Sequence, residues 1–158
     1  HVDWLTRTHP DRLSIAHARA TLERHTGRPD VAEKIYRDAL RVYTNDNATT
    51  EAYADMLIDL GRHAEAVQLL EGYAKYRAPN SRIYKLLSLA YDGAGRPLAA
   101  NAALAEHYFT LGDVAAAIHQ LGIALRTRSD DDYAASRALA RKQELEALQR
   151  LRAQAGRR

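Results

Sequence analysis

The sequence predicts an all-α, superhelical array of about eight antiparallel helices, and three observations predict it. Gly27, Gly61 and Gly95 are spaced by 34 residues each. Each glycine follows a small residue seven places back (Ala20, Ala54, Ser88) and precedes an alanine five places on (Ala32, Ala66, Ala100). No stretch sustains a period-two alternation bounded by turn dipeptides, so strand signals are absent. The spacing has a physical reading. Small residues let two helices approach closely, and large ones such as Tyr36, Leu70 and Leu104 fill the groove between them. The glycine ends the first helix of each pair in a left-handed conformation.

A 34-residue period with small, large and glycine positions in fixed phase resembles the tetratricopeptide repeat. Read in order, helices fall near 11–26, 29–43, 48–60, 63–77, 80–94, 97–111, 113–127 and 131–154. Pro29 and Pro97 stand at helix starts, where a missing N–H costs nothing. Asn80 follows Pro79 and can cap the helix that carries Tyr84, Leu87 and Tyr91. Carboxylates in Ser129-Asp130-Asp131-Asp132 suit the dipole at the start of the last helix. The first repeat is degenerate, with Arg19 and Glu23 where apolar residues belong. That fits a terminal capping unit or a surface meeting another domain.

The period then breaks. Gly112 comes 17 residues after Gly95, yet Ala105 precedes it and Ala117, Leu121 and Ala124 follow in the right phase. The helix near 97–111 therefore serves twice, as the second helix of one pair and the first of the next. A solenoid tolerates this because each helix packs only on its neighbours.

Composition bounds the rest. At 158 residues the chain can bury one real core. Its 46% hydrophobic and 27% charged residues are ordinary for a globular protein. The formal charge of +3 is local: residues 126–158 hold nine Lys/Arg against five Asp/Glu, and the remainder is close to neutral. That is a weak nucleic-acid signal, and no nucleic-acid partner is expected. No run of 18 apolar residues is present, so no membrane span is expected. Without cysteine there is no disulfide framework and no thiolate chemistry. The sequence opens on His1 with no signal-peptide pattern, and reads as a piece of something larger.

Catalytic constellations are missing. The seven histidines include no HExxH and no i, i+4 pair with a third ligand, so neither a metal nor another cofactor is expected in this chain. His63, His107 and His119 fall on repeat helices as exposed or half-buried side chains. Ser14 and His17 lie one turn apart without an orienting acid. Tyr36, Tyr53, Tyr73, Tyr91 and Tyr108 occupy core phases, whereas Tyr84 and Tyr76 lie nearer the faces. The concave face of such arrays is lined by the first helix of each pair. By phase it includes Glu51, Asp55 and Asp59 from one repeat, and Arg82, Lys85 and Asp92, with Tyr84 beside them, from the next. Two readings stand for this face: a partner-binding groove, or a solvated surface with cross-helix ion pairs of little worth.

The last third carries a second resemblance. Ala105, Glu106, Tyr108 and Gly112, then Ala117, Ile118, Gln120 and Leu121, then Ser136, Arg137, Ala140, Arg141, Glu144 and Leu145 are similar to the C-terminal end of periplasmic zinc metalloproteases of the BepA type. Thr8-His9-Pro10 looks like the segment leaving that family's HExxH peptidase domain. The resemblance implies a periplasmic interaction module that binds the barrel-assembly machinery, unfolded or stalled outer-membrane proteins, and its own peptidase domain, where the zinc resides. In some members the Thr-His-Pro histidine has been linked to zinc, which would make His9 an extra ligand from the linker. The domain reading is then 1–12 as linker, 13–128 as array and 129–158 as capping helix and basic tail. A free-standing adaptor in secretion or pilus assembly is the alternative.

The closing helix is long, and its far end is expected to overhang the array. Arg137 and Arg141 share a face and either sit in solvent or pair with acidic groups inside the array. Leu145, Leu148 and Leu151 are expected as an apolar stripe on the overhang, docking on an absent peptidase domain or a neighbouring chain.

Overall fold

A computed structural model describes residues 10–156. The described residues form eight helices: α1 (Pro10–His25), α2 (Pro29–Val42), α3 (Asn47–Asp59), α4 (His63–Ala74), α5 (Ser81–Gly93), α6 (Pro97–Thr110), α7 (Val114–Arg126) and α8 (Asp132–Ala155). Each lies within a few residues of its sequence-derived position. The chain divides into two compact units, residues 1–78 and 79–158.

Four helix ends explain the glycine phase. Gly27, Gly61, Gly95 and Gly112 have φ of 79°, 72°, 73° and 87°. At each, the glycine N–H donates three residues back and the next N–H donates five residues back. The longer bonds are Arg28 to Glu23 O, Arg62 to Leu57 O, Arg96 to Tyr91 O and Asp113 to Tyr108 O, at 2.8 to 3.0 Å. This is the Schellman closure, which satisfies the last carbonyls of the first helix and turns the chain into the second. Asn45, at φ 59°, is the single non-glycine residue with positive φ among those described, and it turns α2 into α3. Short polar side chains cap the other starts: Asp46 accepts from Thr49 N, Asn80 from Ile83 N, Asp113 from Ala116 N and Asp131 from Ala134 N. Pro29 and Pro97 occupy the first helical turn of α2 and α6.

In the first unit α1 pairs with α2, α3 with α4, and α2 packs on α3. Alternate helices also meet, α1 against α3. Ala20, Ala32, Ala54 and Ala66 are all fully buried, so the small positions are where helices approach. Tyr36, Met56, Leu57 and Leu70 fill the space between them, and Tyr36 stacks on Tyr53 at 5.7 Å.

In the second unit α6 packs as extensively on α5 as on α7, and α7 packs on α8. The half-period glycine thus makes α6 a shared helix. Ala105, Val114, Ala117, Leu121, Ala138 and Leu145 form one core, with Tyr108, Phe109, Ile118 and Leu148 against it. This corrects the expected leucine stripe. Leu145 is 1% exposed and Leu148 is half-buried in the same core, and only Leu151, at 63%, faces outward. The reason is rotational: each step of three residues falls about 60° short of a full turn, so Leu151 sits about 120° around α8 from Leu145. Tyr91 and Tyr108 are half-buried rather than core, while Tyr36, Tyr53 and Tyr73 are buried.

The glycines differ in a way that fixes the sign of substitution. Gly61 lies at positive φ, so Gly61→Ala is expected to lower stability by about 1–2 kcal/mol. Gly72 lies inside α4, and a Cβ built on it meets nothing within 4 Å. Gly72→Ala is therefore expected to raise stability by about 0.5–1 kcal/mol. Urea denaturation of both variants checks the opposite signs.

Candidate functional site

Arginines bridge alternate helices in both units, and these bridges absorb several of the candidate site residues. In the first unit Arg24 of α1 reaches α3, with Nη2 3.0 Å from Asp55 Oδ2 and also bonded to Asp59. Asp55 and Asp59 are four apart and present both carboxylates to one guanidinium. Burial disfavours the Arg24 charge, but bonds to Asp59 and Asp55 win and hold its pKa above the ordinary value.

A second bridge joins α2 to the start of α4. Arg62 donates to Glu33 twice, at 2.6 and 3.0 Å, and to Glu65 at 2.6 and 2.7 Å. Tyr53 donates to Glu33 Oε1 at 2.9 Å, Arg37 Nε donates to the Tyr53 hydroxyl at 2.9 Å, and Arg37 Nη2 lies 2.6 Å from Glu33. Arg62 is therefore the chief cause of Glu33's lowered pKa, and the Tyr53 bond assists against desolvation. Burial pushes the Tyr53 phenol up.

The second unit has the corresponding link between α6 and α8. Arg141 grips Glu106 with Nε to Oε1 at 2.7 Å and Nη2 to Oε2 at 2.9 Å. Its Nη1 lies 2.8 Å from Glu144, and its guanidinium lies over the Phe109 ring at 4.5 Å. Half-buried Tyr84 stands in the same field: burial raises its pKa, Glu106 adds to the rise, and Arg141 opposes it. Arg137, expected to pair with an acid inside the array, pairs with no carboxylate among the described residues. It is exposed and lies over the Tyr133 ring at 5.8 Å, because it sits about 40° around α8 from Arg141 and away from α6.

The remaining candidates distribute as follows. Glu51 accepts from Asn47 Nδ2 at 2.8 Å within α3, and Asn47 Oδ1 in turn accepts from Tyr73 of α4. Arg82, Lys85 and Asp92 share one exposed face of α5 with Leu89. Asp55 and Asp59 belong to the first unit and are committed to Arg24; Arg82 and Lys85 belong to the second. Asp55 and Asp59 thus act as fastenings between helices. His107 Nδ1 lies 2.8 Å from Ser81 O, and His17 meets the edge of Tyr36. An open depression on α2 is lined by Asp30, Glu33, Lys34, Arg37, Asp38 and Arg41, whose charges largely pair with one another. Among the described residues no group of three His, Asp or Glu could hold a metal ion. No described helix is long and apolar enough to cross a membrane. His9 lies outside the described residues.

Sequence reading missed Arg24, Glu33 and Arg62. The signal was present in part: Arg28, Arg62 and Arg96 each follow a closing glycine, so an arginine recurs at the start of α2, α4 and α6. Arg28 Nε lies 2.7 Å from Glu23 Oε2, without the alignment of a hydrogen bond, and Arg96 lies over the Tyr91 ring at 4.7 Å. One recurring residue thus has three different contacts, which spacing alone does not distinguish.

The tetratricopeptide repeat family matches residues 15–155, and the chain belongs to that family. A solved structure titled "MamA RS-1 ArsTM double mutant" is similar at a TM-score of 0.55 and 18% identity, covering 94% of this chain and 83% of that one. At that identity the likeness shows the fold. No curated protein matches the chain. The tetratricopeptide repeat is a non-catalytic protein-interaction module, and the bridges described here hold helices in place rather than activate a nucleophile.

Two expectations follow. Arg141→Ala leaves Glu106 half-buried without its cation and is expected to cost about 1.5–3 kcal/mol, whereas Arg137→Ala stays within about 0.5 kcal/mol. Thermal unfolding of both variants checks the contrast. Glu33's folded pKa is depressed, so its stabilisation is complete above the unfolded carboxylate value of about 4.3 and is lost as pH falls through the folded value. Glu33→Gln should destabilise the protein at neutral pH and narrow its difference from wild type as the pH is lowered from 5 to about 3.

Proposed function

We propose that this chain is the protein-recognition module of a periplasmic zinc metalloprotease of the BepA type, acting in outer-membrane protein assembly quality control. One observation carries the reading. The residues that bear the resemblance in α6 and α8 meet: Glu106 of the Ala-Glu-x-Tyr segment takes Arg141 of the closing segment in a two-point grip. The conjunction accounts for why both residue types stand in the pattern, since each neutralises the other at a half-buried position. The module takes as partners the barrel-assembly machinery, stalled or unfolded outer-membrane proteins, and its own peptidase domain. The exposed α5 face with Arg82, Lys85 and Asp92 supplies the contact. Zinc belongs to the peptidase domain and is assigned to no residue of this chain.

The test uses the complete reading frame. It is expected to encode HExxH upstream of His1, and a photocrosslinking amino acid at position 82 or 85 is expected to link to an assembly-machinery subunit. The paired reversal Arg82→Glu and Lys85→Glu is expected to weaken that association by about tenfold at unchanged Tm. A frame without HExxH, together with no crosslink to the machinery, contradicts the proposal and favours a free-standing adaptor.

A further inference from the structure

The outward face of α1 has a composition that a solvent-facing helix surface does not need. Ile15 is 66% exposed and Leu22 is 60% exposed, and Arg12, Ala18 and Arg19 are exposed beside them. At about 100° per residue these five positions fall within one arc of about 120°. Ala20 and Arg24 lie on the opposite side, where Ala20 is fully buried and Arg24 reaches α3. A helix at the surface of a globular protein ordinarily presents polar residues on the side away from its packing partners. Here the apolar pair is flanked by two cations that meet no carboxylate among the described residues.

The other side of the same helix shows what such a face accepts. There α3 lies against α1, and its two carboxylates four residues apart, Asp55 and Asp59, close on Arg24. The outward face offers the same chemistry in a second copy: apolar positions one to two turns apart, with arginine alongside. We propose that α1 docks an acidic amphipathic helix of another protein, laid on the side opposite α3, with apolar residues on Ile15, Ala18 and Leu22 and carboxylates on Arg12 and Arg19. A second copy of this chain is disfavoured by charge, because α1 against α1 places arginine on arginine. The surface is separate from α5 and independent of the identity of any parent protein.

The experiment uses the full chain and a fluorescein-labelled helical peptide with leucines at i, i+3 and i+7 and glutamates at i+4 and i+8 on the flank. One control peptide replaces each glutamate with lysine, and another keeps the composition but scrambles the order. Fluorescence anisotropy is expected to show salt-sensitive binding of the acidic amphipathic peptide alone. The paired variants Arg12→Glu with Arg19→Glu, and Ile15→Ser with Leu22→Ser, should each weaken it by about tenfold or more at unchanged Tm. Arg82→Glu with Lys85→Glu should leave it unchanged, which separates this surface from the α5 face. Absence of binding, equal binding of the lysine or scrambled peptide, or loss through the α5 variant would overturn the proposal. Sedimentation showing a dimer that Leu22→Ser dissolves would also overturn it, in favour of self-association.

Discussion

A residue at positive φ closes each tight helical hairpin, and the remaining architecture depends on that constraint. An L-residue pays about 1–2 kcal/mol to adopt that conformation, so glycine holds the position. With the closure fixed, the chain reverses within two residues, and the alanines on either side must face each other across the resulting hairpin. Ala20 and Ala32 around Gly27, and Ala54 and Ala66 around Gly61, are fully buried for that reason. The same closure at Gly95 and again at Gly112 gives α6 two hairpin partners. A repeat family built from helix pairs can therefore shift phase by one helix without a new kind of turn.

Short helices packed through alanine leave limited apolar area, and the arginine bridges supplement it. Each spans alternate helices: α1 to α3 through Arg24, α2 to the start of α4 through Arg62, and α6 to α8 through Arg141. These side chains are only partly exposed, so their bonds are less screened than those of surface pairs. The geometry is directional as well. A guanidinium that takes two carboxylate oxygens at once fixes an angle between helices, which apolar packing leaves looser.

Much of the fold was legible because it is written in positions with one physical solution. Glycine at a 34-residue spacing, proline in the first turn and Asn80 before Ser81 each permit little else. Side-chain partnership was less legible. Asp55 and Asp59 looked like an acidic face because α3 carries them in line, but the cation that claims them lies on a different helix, 31 and 35 residues earlier. Leu145 and Leu148 looked like an overhanging stripe because a three-residue spacing resembles a helical face. In α8 the face that turns inward runs instead through Ala138, Arg141, Leu145 and Leu148, and it carries the helix into the core of its unit. Arg137 and Arg141 were four apart and shared a direction, yet the rotation between them is enough to leave one over Tyr133 and the other on Glu106.

The central claim is that α6 is common to two hairpins, so that α5 to α8 open as one body rather than as separable pairs. Native-state hydrogen exchange on the full chain tests this most directly. The account predicts that the slowest amides of α5, α6, α7 and α8 share one opening free energy, and that Gly112→Ala lowers all four together. Protection of α5 and α6 that persists while α7 and α8 exchange at a much lower free energy would contradict it.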